Sequence, residues 1–100
     1  MYAVIFRAEF ADPDEDYEAT AIRLRDLALT EYGCREFIAH TEGRNELAIS
    51  YWDSEEQIQN WKRDPIHREA QRKGREKWYS TYTVQVLEVQ REYHSEHQGE

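Results

Sequence analysis

An α+β fold is predicted for this chain by three features of its sequence. Four segments alternate apolar and polar residues with period two, two others carry apolar residues at helical spacing, and they follow one another in the order βαββαβ with a short turn in the middle. That order with a central hairpin is the ferredoxin-like unit. The 100 residues suit one domain. We expect it over 1–93, with a polar tail over 94–100.

The first strand is expected over 2–10, with Tyr2, Val4, Phe6, Ala8 and Phe10 facing one way and Ala3, Ile5, Arg7 and Glu9 the other. Asp12-Pro13-Asp14 breaks it and starts a helix, because proline suits the first turn and acids suit the positive N-terminal end. From Asp14 to Glu31, Tyr17, Ala21, Leu24 and Ala28 keep helical spacing with Leu27 beside them, and Gly33 supplies a left-handed stop. Residues 35–42 and 46–52 read as a hairpin turned by Gly43-Arg44-Asn45. In it Phe37 and Ala39 oppose Ile38 and His40, and Leu47, Ile49 and Tyr51 oppose Ala48, Ser50 and Trp52. A capping box, Ser54 with Gln57 or Asp53 with Glu56, opens the second helix. This helix turns Ile58 and Trp61 inward, is interrupted at Pro65, and resumes to about Gly74 with Ile66 and Ala70 inward. Trp78 to Gln90, rich in Tyr, Thr and Val, is the last strand. The chain from Glu92 is polar and frays.

Several strands are apolar on both faces: Tyr82, Val84 and Val86 oppose Leu87 and Val89, and Leu47, Ile49 and Tyr51 oppose Ala48 and Trp52. A sheet with one wet face alternates cleanly. Two helical segments cover one face only, so the second calls for another sheet, and a homodimer about a two-fold axis is expected.

Thirteen basic against 21 acidic residues leave a formal charge of −8. That favours solubility and argues against a nucleic-acid partner, since phosphate binding needs clustered Lys and Arg. The bases between Lys62 and Lys77 are interleaved with acids, as on a solvated helix face. The single cysteine, Cys34, permits no intrachain disulfide and fits a reducing compartment. The N-terminal run lacks the basic lead and small-residue cleavage site of a signal peptide. No apolar run approaches the ~20 residues of a membrane span. A cytoplasmic protein without membrane contact is expected.

The stretch Ile49-Ser50-Tyr51-Trp52-Asp53-Ser54-Glu55-Glu56, then Trp61, Asp64-Pro65-Ile66-His67, Gly74-Arg75, Trp78-Tyr79 and Arg91-Glu92-Tyr93, resembles the antibiotic biosynthesis monooxygenase family. The resemblance runs over about residues 2–93 and is most specific between Ser50 and Trp78. It implies a dimeric α+β barrel in which two sheets face each other. It also implies one of several activities: cofactor-independent oxidation of aromatic phenols by O₂, haem degradation, or action on quinols or signal molecules. In haem-degrading members a first-strand Asn, the helix Trp and a His ten residues beyond it form the site. Here Trp61 is present, but Gln71 and Arg7 stand at the other two positions, and Gln is a poor iron ligand.

Cofactor-independent oxygenation asks for a base, a dry pocket and donors for a developing oxyanion. His67 is the candidate base, since imidazole titrates in the useful range. Asn60 and Gln71 are candidate donors, Arg7 could hold an enolate oxygen, and Trp61, Trp52 and Tyr51 could stack on a flat molecule. Other roles stay open: His67 as a helix-turn cap after Pro65, the two tryptophans as core, Arg7 as a partner for an acid across the dimer. His40 lies mid-strand; His94 and His97 lie in the polar tail. No metal-ligand cluster, phosphate loop or nucleophile triad is evident. The expected function is a monooxygenase without cofactor, acting on a hydrophobic aromatic or quinol-type molecule. The alternatives are a non-catalytic small-molecule-binding dimer or, more remotely, a haem-binding protein.

Overall fold

The structure, a computed structural model, describes residues 1–96; residues 97–100 of the expected tail, His97 among them, lie outside them. The elements are β1 (Tyr2–Phe10), α1 (Glu15–Glu31), β2 (Glu36–Glu42), β3 (Asn45–Trp52), α2 (Glu55–Arg63), α3 (Pro65–Lys73), a π-helical turn (Gly74–Trp78) and β4 (Tyr79–Glu88). The strands form one sheet in the order β2-β3-β1-β4, with every neighbouring pair antiparallel. This is the ferredoxin-like arrangement, with the second helix built in two parts. Among the described residues no helix is long and apolar enough to cross a membrane.

Local chemistry explains the helix ends. Ser54 caps α2: its hydroxyl accepts from the Gln57 amide at 3.3 Å while the Gln57 side chain accepts from the Ser54 amide at 3.3 Å. Of the two capping boxes expected, the Ser54–Gln57 one forms. Pro65 is the first residue of α3 and removes no needed hydrogen bond there. Asp64 caps that helix, accepting from the Ile66 amide at 2.8 Å, and the Tyr32 hydroxyl donates to the same carboxylate at 2.6 Å. Gly33 takes φ +83° beyond α1, and the Cys34 amide reaches back to the Ala28 carbonyl at 2.9 Å. The start of α1 falls later than expected, at Glu15 rather than next to Pro13. Its N-cap residue Asp14 gives its carboxylate to Trp78 Nε1 and Lys77 Nζ, each at 2.9 Å, instead of to its own helix. Trp78 is therefore the end of the π turn and not the first residue of the last strand.

The register sorts side chains between two faces. Phe37, Ser50, Val4 and Val86 form one cross-strand row, and Ala39, Ala48, Phe6 and Val84 the next; both face the helices. The core is Val4, Ala28, Cys34, Trp52, Ile58 and Trp61, with Leu24, Tyr32 and Phe37 packed against it. The opposite face carries the rows Ile38-Ile49-Ile5-Gln85 and His40-Leu47-Arg7-Thr83. Leu47 and Leu87 are exposed there, and no helix among the described residues covers them.

Candidate functional site

The helix-facing side of the sheet is floored by small residues. Ala39, Ala48 and Ser50 sit where larger side chains would fill the space beneath α1, α2 and α3. The result is a cavity of about 710 Å³, within the size range of small-molecule sites, about 300–1,000 Å³. Its walls are two separate aromatic groups.

The first group is built on Trp61. Its ring packs on Trp52 at 5.2 Å and on Phe37 at 6.1 Å between centroids, and its Nε1 donates to the Leu24 carbonyl of α1 at 3.1 Å. His67, in the first turn of α3, meets the Trp61 ring edge-on at 4.4 Å. Burial depresses the His67 pKa from 6.5 to about 4; nearby Lys62 adds to this, while the residue's own main chain and Asp64 oppose it. The imidazole is neutral at pH 7. Its Nδ1 is buried with no hydrogen-bond partner among the described residues, a costly state for a polar atom. Gln71 lies one helical turn further along α3 and lines the same cavity. Ser50 joins them from the floor: its Oγ accepts from Trp52 Nε1 at 2.8 Å, leaving its own proton to donate.

The second group lies toward the other end of β1. Phe10, Tyr17, Trp78 and Tyr79 pack edge-on and stacked at 5.1–6.5 Å, and Phe6 and Tyr82 continue the cluster. A polar centre sits among these rings. The Tyr17 hydroxyl donates to Glu46 Oε2 at 2.8 Å, and the Thr41 hydroxyl donates to Glu46 Oε1 at 2.9 Å. Burial, then the neighbouring Tyr79 and Glu46, pushes the Tyr17 phenol far above its ordinary range. Burial also raises Tyr79 to about 12, with Tyr17 opposing and Glu46 adding.

Of the seven residues singled out in the sequence, His67, Trp61 and Gln71 come together at this cavity. The other four do not line it. Arg7 is exposed on the opposite face of the sheet, between Leu47 and Thr83, because strand alternation sends it away from Phe6 and Ala8. Tyr51 shares that far face, paired with Ala3. Asn60 is exposed on the solvent side of α2. Trp52 is 0% exposed and serves the core, reaching the cavity only by fixing Ser50. Conversely the sequence does not single out Tyr17, Glu46, Tyr79 and Ser50 as site residues. Glu46 carried a signal, since it precedes Ala48, Ser50 and Trp52 in the same parity and so must face the helices. Tyr79 carried none. A register shift opposite Glu9 and Phe10 leaves Ser80 as the extra residue of β4, which turns Tyr79 onto the face of Tyr82 against simple alternation.

Comparison with known proteins agrees with this architecture. The antibiotic biosynthesis monooxygenase family profile matches residues 1–73, and the chain belongs to that family. It is 38% identical over 93 residues to the uncharacterized protein YqjZ of Bacillus subtilis, a match spanning 91% of this chain and 81% of that protein. Among solved structures, a single-site variant of SnoaB, a cofactor-independent oxygenase from Streptomyces nogalater, superposes with a TM-score of 0.74 at 12% identity, over 91% of this chain and 94% of that one. Rv0793 from Mycobacterium tuberculosis does so with a TM-score of 0.66 at 21% identity, over 91% and 96%.

Proposed function

We propose that the protein is a cofactor-independent monooxygenase whose substrate is a hydrophobic aromatic or quinol-type molecule held in this cavity. The observation that carries the reading is His67: a neutral imidazole packed edge-on against Trp61 on the wall of an aromatic cavity. A flat aromatic is held by the Trp61 and Phe37 rings. An activated methylene carbon or a phenol oxygen placed beside His67 loses a proton toward the imidazole. The electron-rich enolate or phenolate then reduces O₂ directly. For conversion of a methylene to a carbonyl the balance closes without another reductant: CH₂ plus O₂ gives C=O plus H₂O, the substrate supplying all four electrons. Ser50 and Gln71 are the donors available to the developing oxyanion.

A pKa near 4 makes His67 a weak base toward a phenol or enol of pKa about 10. Full transfer is uphill by about 8 kcal/mol before the attraction between imidazolium and anion in the low-dielectric cavity offsets part of it. His67 therefore works as a hydrogen-bonded acceptor whose protonation is completed as charge moves to O₂.

The test is O₂ consumption with a panel of hydroxynaphthalenes and anthrones. Wild type is expected to turn over at least one, and His67→Ala and Trp61→Ala to lose most of that rate. Equal rates in all three would refute the site assignment. Binding without turnover would make the protein a small-molecule-binding module instead.

The homodimer belongs to the same proposal. The far face of the sheet presents Leu47 and Leu87 with the Ile38-Ile49-Ile5 row, and a second copy of the same face is its self-complementary cover. Size-exclusion chromatography with light scattering should give twice the chain mass, and Ile49→Glu should give a monomer. A wild-type monomer at micromolar concentration would refute it.

A further inference from the structure

The cavity has a second polar centre that the oxygenation reading leaves unused. Glu46 stands at the end of the cavity bounded by Phe6, Phe10, Tyr17 and Tyr79, half-buried, and it makes no ion pair among the described residues. Its charge is met only by two neutral donors, Tyr17 on Oε2 and Thr41 on Oε1. Each carboxylate oxygen accepts more than one hydrogen bond, so acceptor capacity remains on a carboxylate that lines the cavity. Tyr79 packs edge-on against Tyr17 at 5.8 Å, is neutral and feels the Glu46 charge, so its hydroxyl is a donor at the same end of the cavity. An acceptor and a donor at one end, walled by aromatic rings, complement an aromatic hydroxyl, which donates to Glu46 and accepts from Tyr79.

We infer that the Tyr17-Glu46-Thr41 cluster with Tyr79 is a hydroxyl-recognition subsite, selecting phenolic aromatics and excluding aromatics that carry an anionic group at that end. The inference rests on the cavity being a small-molecule site and deepens that reading. It also sets the length of the molecule. Trp61 stands over the Phe37–Ser50 row and Glu46 is four residues along β3 from Ser50, about 13 Å at the rise of a strand. A molecule touching both His67 and Glu46 is therefore an elongated multi-ring compound with its hydroxyl remote from the reacting carbon. The half-buried carboxylate gives exclusion as well as attraction. A second anion beside Glu46 is repelled by its charge, whereas a charge-assisted hydrogen bond from a phenol is among the strong ones.

The experiment is calorimetric titration at pH 7 of 2-naphthol, 2-methoxynaphthalene and 2-naphthoate into the full chain, wild type against Glu46→Gln, Tyr79→Phe and His67→Gln. Wild type should bind 2-naphthol about tenfold tighter than 2-methoxynaphthalene, and 2-naphthoate weakest. Glu46→Gln keeps an oxygen for Tyr17 or Thr41 while removing the charge; it should narrow the naphthol preference and relieve the naphthoate penalty at least fivefold. Tyr79→Phe should weaken 2-naphthol and 2-methoxynaphthalene alike, and it stands as the independent variant if Glu46→Gln does not fold. His67→Gln should leave the ratios unchanged. Binding of all three probes with ratios indifferent to Glu46→Gln and affinities indifferent to Tyr79→Phe overturns the subsite while leaving the cavity reading intact. A preference lost in His67→Gln overturns it too, by placing the hydroxyl at the other end. No binding of any probe to wild type overturns the cavity reading and this inference with it.

Discussion

Burial of His67 makes folding depend on pH in a window of its own. Its pKa falls from 6.5 to about 4 in the folded chain. Between those values the unfolded state binds a proton that the folded state refuses, so stability drops as pH falls through the window and is fully present above 6.5. At pH 5 the loss relative to pH 8 works out to about 2 kcal/mol. With a urea m-value of about 1.5 kcal/mol/M, the unfolding midpoint moves down by about 1.3 M. The carboxylates of Asp14, held low chiefly by Lys77, and of Asp64, held low chiefly by Tyr32, lose their contribution only below the ordinary carboxylate range, under pH 4. The comparison between pH 8 and pH 5 thus isolates the imidazole. His67→Gln, which does not titrate, should show a much smaller midpoint change over the same interval. Equal losses in wild type and His67→Gln would refute both the depressed pKa and the neutral-base argument built on it.

Trp61→Ala should cost about 3–5 kcal/mol in chemical denaturation, since it removes a buried ring packed on Trp52 and the bond to Leu24. Ser54→Ala should cost about 1 kcal/mol by the same measurement, through loss of the α2 capping box. Gly33→Ala should cost more than about 1 kcal/mol, because φ is +83° and the new Cβ would stand 2.5 Å from Gln57 Nε2. Its effect should be non-additive with Ser54→Ala, since displacing Gln57 already breaks the same box.

The legibility of the site followed parity. Simple alternation groups Val4 with Phe6 and Ala48 with Ser50, and the register puts both groups on the helix-facing side. The same rule, applied to Arg7 and Tyr51, would have removed them from the site, because they belong to the other parity of β1 and β3. Their chemistry was attractive and their geometry was not. Asn60 failed for the helical equivalent of that reason, being next to Trp61 in sequence but turned to solvent. His67 and Gln71, four apart on α3, share a helix face because helical spacing is local, and both line the cavity.

What the amino-acid order determined by itself is the set of local choices: strand parity, the Ser54 and Asp64 caps, the Gly33 stop, the break at Pro65, and from these the βαββαβ path. Each depends on neighbours within a few residues, where steric and hydrogen-bonding preferences act directly. Only the tertiary structure decided that Asp14 would turn from its own helix to Trp78 and Lys77, that Ser80 would be the extra residue that swings Tyr79 inward, and that Tyr17 of α1 would meet Glu46 of β3 across 29 residues. These are contacts between distant segments whose alternatives are locally equal in energy. Packing selects among them, and the cavity with its second polar centre is a product of that selection.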